Sequence, residues 1–137
     1  ILPVFSTAQI FKKDSGTFAA TIRVDPHFNA AEVELHKFAG EKPAGYIRGT
    51  KNTLSILIGF PTGIVDNQKV TKKYPDDFNK NDTEWVLFDG TNSHHVKTGS
   101  ITVTFTEGMT KAKGEFEFIT DDSSPRTVTG EFDVHQS

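Results

Sequence analysis

The feature that most constrains this chain is a two-residue alternation running through its last third. Over residues 100–106, Ile101, Val103 and Phe105 alternate with Ser100, Thr102, Thr104 and Thr106. Over 113–120, Phe116 and Phe118 alternate with Glu115 and Glu117. Over 127–134, Val128, Phe132 and Val134 alternate with Thr127, Thr129, Glu131 and Asp133. Successive strand residues point to opposite faces, so each segment reads as a strand with one oily and one wet side. Strands of that kind on short connections pair antiparallel. The run Asp121-Asp122-Ser123-Ser124-Pro125 supplies the turn chemistry of a hairpin loop.

The same grammar appears earlier. Residues 17–24 place Phe18, Ala20, Ile22 and Val24 on one side, and Asp25-Pro26 ends the strand because proline has no N–H to give. Residues 45–50 form a short strand with Tyr46 and Ile47. Residues 54–60 are apolar on both faces, as a central strand requires. Further strands are expected near 68–72 and over 84–88, the latter holding Trp85. Residues 29–39 fit two templates. Asn29 and Glu32 have capping-box spacing, Phe28, Ala31, Leu35 and Phe38 recur at helical spacing, and Gly40 and Pro43 would stop a helix. Ala31, Val33 and Leu35 also alternate with Glu32, Glu34 and His36. The two end signals favour one short helix near residues 30–39. The expectation is a mainly β protein: an antiparallel β-sandwich of about seven or eight strands, in one domain spanning 1–137. Residues 1–15 are an irregular lead-in, with Val4, Phe5, Ile10 and Phe11 able to pin it to the body.

Composition narrows the function more by exclusion than by assignment. A length of 137 residues suits one domain with its own core. Zero cysteines exclude a disulfide scaffold and thiolate metal sites. The 15 basic and 18 acidic residues give a net charge of −3, which argues against nucleic acid as a partner. No apolar run approaches the roughly 20 residues of a membrane-spanning helix, so no transmembrane segment is expected. No signal peptide is visible, and an opening on Ile1 suggests that a leader or tag has been removed. Twelve Phe stand against two Tyr and one Trp, a ratio that serves a core better than a wet recognition surface.

The segments Thr98-Gly99-Ser100-Ile101-Thr102-Val103, Lys113-Gly114-Glu115-Phe116-Glu117-Phe118 and Val128-Thr129-Gly130-Glu131-Phe132-Asp133-Val134 together resemble the C-terminal end of small bacterial cell-envelope β-sandwich domains. Many of those are lipoproteins, and their function is unassigned. The likeness covers about a quarter of the chain, with residues 46–60 fitting more loosely. It implies a periplasmic, secreted or cell-surface setting. It brings no catalytic residues, and the lipid-bearing N-terminal Cys of such lipoproteins is absent.

Few residues carry candidate chemistry. Asp77, Asn79 and Asn81 stand at alternate positions, as the first oxygen ligands of a calcium loop do, with Asp82 and Glu84 close behind. The glycine such a loop needs is replaced by Asp82, and its closing Glu by Phe88, so a solvated turn is the competing reading. Glu115, Glu117, Glu131 and Asp133 are expected on one outer face, offset by Lys111, Lys113 or Arg126. Facing carboxylates are what a glycosidase uses, although it holds them in a cleft. His94 and His95 are adjacent, so on a strand they diverge and do not share a metal. The Ser and Thr row of the last strands invites comparison with ice-binding arrays, but threonine is simply favoured on wet strands. Trp85, with Tyr74 or Tyr46, could form a ligand-stacking patch or belong to the core. The nucleophile-elbow, phosphate-loop, zinc-protease and dinucleotide signatures are all missing. The reading that follows is a non-catalytic, exported binding module that recognises a protein or glycan partner through loops 61–66, 74–84 and 89–98, expected at one end. The alternatives are a small hydrolase using the surface carboxylates or histidines, and a carrier of a small apolar ligand between the sheets.

Overall fold

The computed structural model describes residues 14–22 and 27–137. Most of the lead-in, and the first strand beyond Ile22, lie outside these residues. Ten strands follow one another: β1 (Ser15–Ile22), β2 (Phe28–Asn29), β3 (Glu32–Lys37), β4 (Gly45–Lys51), β5 (Leu54–Phe60), β6 (Lys69–Tyr74), β7 (Val86–Phe88), β8 (Ser93–Thr106), β9 (Lys111–Thr120) and β10 (Thr127–His135). All their pairings are antiparallel. The mainly β, antiparallel architecture that the alternation demands is present. Its form is one sheet of order β2-β1-β10-β9-β8-β7-β5-β4-β3, curled into a half-barrel, with β6 pairing on β8. The two halves are not separate leaves, because β8 runs through both. Its start pairs with β7 and its end with β6, and its register with β9 shifts between Val96 and Thr98. A shift of that kind adds local twist and lets one long strand bend from one half into the other.

The helix expected near residues 30–39 is not formed; that stretch is β3. Leu35 is buried opposite Ile47, while Glu34 and His36 face outward opposite Arg48 and Tyr46. Pairing with β4 satisfies the backbone and the strand alternation together, and this outweighs the local capping signals. Just before β3 the chain crosses between the halves. Ala30 N–H donates to Phe18 O at 2.9 Å, and Ala31 N–H donates to Thr50 O at 2.8 Å. The strand count exceeds the expected seven or eight because β3 replaces the expected helix and the two-residue β2 precedes it.

The core lies on the inner face and is dominated by phenylalanine. Phe18, Phe116 and Phe132 pack at centroid distances of 5.3–6.5 Å, and Phe118 stacks on Phe116 at 6.0 Å. Across the sheet, large and small residues take turns: Phe116 pairs with Gly130, which in turn pairs with Ala20. Opposite them, Ile47, Ile56, Ile58 and Phe60 of β4 and β5 are fully buried, and Phe60 meets Phe105 at 4.9 Å. Each such side chain contributes about 1.5–3 kcal/mol by leaving water.

Candidate functional site

Register places the outward residues of β3 beside those of β4. His36 pairs with Tyr46 and Glu34 with Arg48. The imidazole stacks on the Tyr46 ring at 5.1 Å and 24°. Phe38, just past β3, sets its ring edge-on to both, at 5.1 Å from His36 and 6.3 Å from Tyr46. Phe38 is 45% exposed; with Val65 it is one of two large apolar side chains open to water among the described residues. A polar pair completes the patch. Tyr46 donates its hydroxyl to Glu34 Oε2 at 3.1 Å, and Arg48 donates to Glu34 Oε1 while standing over the Tyr46 ring at 5.9 Å. Burial pushes the Tyr46 phenol above its ordinary value, with the charge and hydrogen bond of Glu34 adding to the effect. A groove of about 520 Å³ adjoins, walled by Asp14, Ser15, Glu32, Glu34, Arg48 and Thr50. Of this patch, only Tyr46 stood out in the sequence. The signal for the others was the alternation Glu32, Glu34, His36, which gains meaning only once β3 is a strand.

The other sequence candidates are dispersed. Trp85 is fully buried. Its indole N–H donates to Gly59 O at 3.1 Å, Tyr74 stacks on it at 4.8 Å, and Phe78 and Phe118 meet it edge-on. Tyr74 also accepts the Trp85 backbone N–H at 3.3 Å, so both rings are structural neighbours of the core. Burial raises the Tyr74 phenol as well. In the 74–84 loop, carboxylates cap backbone: Asp77 accepts Lys73 N–H and Asp82 accepts Asn79 N–H, both at 2.7 Å. Asn79 and Asn81 are exposed, as is Glu84, which meets His95 at 3.4 Å. No group of three or more His, Asp or Glu placed to hold a metal ion occurs among the described residues.

His94 and His95 diverge, as adjacent strand residues must. His94 Nε2 faces Asp89 Oδ2 at 2.7 Å and Nδ1 faces Asp122 Oδ2 at 3.0 Å. Arg126 stands 3.7 Å from Asp89. The Asn92 N–H foremost, then His94 and the Thr91 N–H, holds the Asp89 carboxyl well below the usual carboxylate range. With both nitrogens engaged, His94 has none free for a substrate.

The carboxylate face lies outside as expected. Glu131 pairs with Glu115, Thr129 with Glu117, and Asp133 with Lys113. These carboxylates are exposed, beside an open groove of about 700 Å³ that also touches Thr17, Lys69 and Thr104. The three loops do not gather at one end. Residues 89–92 lead into the start of β8, whereas Asp66 is bonded to Gly108 and Met109 beyond its end. No helix of the described residues is long and apolar enough to cross a membrane. No family model matches the chain, and neither a curated protein nor a solved structure matches it.

Proposed function

We propose that the domain is a non-catalytic binding module that holds a protein partner on the outer face of β3 and β4. The observation that carries this reading is Phe38, left open to water yet held in place by two ordered rings. Aromatic and Arg anchors dominate protein contact energies, and here Tyr46 and Arg48 flank the exposed ring. A protein suits the patch better than a glycan. Phe38 and Tyr46 stand beside the Arg48–Glu34 pair, and aromatic and Arg side chains are the ones enriched at protein contacts. An envelope or secreted setting, implied by the likeness of residues 98–134, belongs to the same proposal. The hydrolase alternative has less support, since Glu115 and Glu131 lie on an open outer face and His94 is engaged at both nitrogens.

Affinity co-purification from the source cells, with the wild-type chain and with Phe38→Ala/Arg48→Ala, tests the reading. A partner retained by the first and lost by the second is expected. A partner retained equally by both overturns the assigned face. Saccharide-array binding that depends on Phe38 would replace the protein by a glycan.

A further inference from the structure

Two edge strands of this sheet, β3 and β6, are finished differently. On β3 the outward backbone groups of Leu35 are occupied: its N–H donates to Asp14 Oδ2 at 2.8 Å, and its C=O accepts from Gln136 Nε2 at 3.1 Å. Side chains from beyond the strand plug that edge. On β6 the arrangement can be read from Lys73, whose N–H donates to Asp77 Oδ2 and whose C=O accepts Asp77 N–H at 2.8 Å. Lys73 therefore directs its backbone away from β8. In an antiparallel pair that direction alternates, so Lys69 and Thr71 also turn N–H and C=O to the open side. Among the described residues, β6 pairs with β8 alone, and nothing is bonded to Lys69 or Thr71 on that side.

The charged side chains of β6 itself are all lysines, and the Asp77 carboxylate closes the open side at Lys73. Lys69, Lys72 and Lys73 lie within five residues of chain, and none forms an ion pair among the described residues. Lys69 and Lys73 share the outer face with Thr71, whose hydroxyl meets that of Thr102 at 2.9 Å. Val70, on the inner side, packs against the core. A second copy pairing through β6 would set lysine against lysine, which opposes self-association.

We infer that β6 accepts an acidic extended segment of a partner protein as an added strand, hydrogen-bonded to the backbone of Lys69 and Thr71. An acidic residue of that segment lies over Lys69, short of the Asp77 cap at Lys73, and an adjacent apolar residue lies beside Val70. Strand addition draws affinity from main-chain bonds and specificity from alternate side chains, and both are available here. The inference does not rest on the β3–β4 face, because β6 pairs with β8 and not with β3 or β4.

The test uses an eight-residue peptide alternating Glu and Val, and its Lys-for-Glu counterpart, titrated into the isotope-labelled full chain. The Glu peptide is expected to shift the Lys69 and Thr71 amides and to slow their hydrogen exchange at least about tenfold. Raising salt from 0.05 to 0.5 M is expected to weaken it, since exposed pairs are screened over a few ångströms at that ionic strength. Thr71→Pro removes one edge donor without breaking a bond to β8, and should abolish binding. Lys69→Glu/Lys73→Glu, which leaves the backbone intact, should transfer preference to the Lys peptide. No binding by the Glu peptide, equal binding of both peptides, or shifts confined to residues 36–48 would each overturn the inference.

Discussion

Phe116 stands directly across the strand pair from Gly130, and a Cβ built on Gly130 would come within 2.5 Å of the Phe116 ring and 2.6 Å of Ala19 O. The ring occupies the volume that a side chain would need. The relation recurs at Gly99, opposite Phe118, and at Gly45, opposite Phe60. At these positions glycine packs against an aromatic side chain, with Trp85 supplying the ring at Gly99, whereas a Cβ at Gly40, Gly63 or Gly108 would meet nothing. Gly130→Ala should therefore destabilise by about 1–3 kcal/mol, the usual range for overpacking. An unchanged thermal midpoint would show that the ring does not lie there.

Exposure separates two phenylalanines. Phe118 lies in the core and Phe38 does not. Phe118→Ala should cost about 3–5 kcal/mol by chemical denaturation. Phe38→Ala should stay within about 0.5 kcal/mol, as exposed positions do. A large cost at Phe38 would mark it as a structural residue and remove it as a contact.

The turn between β8 and β9 is tied from afar. Glu107, Gly108 and Met109 all have positive φ, between 55° and 70°. Two of the three carry side chains, which disfavour that region by about 1–3 kcal/mol each. The Asp66 carboxylate accepts the N–H groups of Gly108 and Met109 at 3.0 and 3.1 Å. Asp66→Ala should lower stability by about 1–3 kcal/mol and raise hydrogen exchange at residues 107–110 first. Unaltered exchange there would mean that the turn holds itself.

Asp89 gives an acid limb to the stability profile. Its carboxyl titrates below its unfolded value of about 3.9, so its contribution is complete above that pH and lost as pH falls through the lower, folded value. The wild-type melting temperature should fall below about pH 4 more steeply than that of Asp89→Asn. Parallel profiles would show that the carboxylate is not specially held.

Much of the sheet is legible in the sequence, because β9, β10 and residues 100–106 of β8 are wet on one side only, although residues 93–98, read as part of a loop, also belong to β8. Alternation then fixes both strand and facing, and Glu115, Glu117, Glu131 and Asp133 fall outside as read. β3 was not legible. Phe28, Ala31, Leu35 and Phe38 satisfy a helical period as well as a strand does, and only the pairing of Leu35 with Ile47 decides. The same ambiguity hid the patch, since Phe38 and His36 meet Tyr46 through register, which local spacing does not encode. Trp85 could not be assigned for a related reason: Gly59, Tyr74 and Phe118 surround it from other strands. His94 was visible, but its partners Asp89 and Asp122 sit in turns whose convergence is tertiary.

The most direct measurement is photo-crosslinking in the source cells, with a photoreactive residue placed at Phe38 in one chain and at Thr129, on the opposite outer face, in another. The account predicts a discrete covalent adduct with one protein from position 38 and none from 129. Adducts from 129 alone, or the same adducts from both positions, would contradict it.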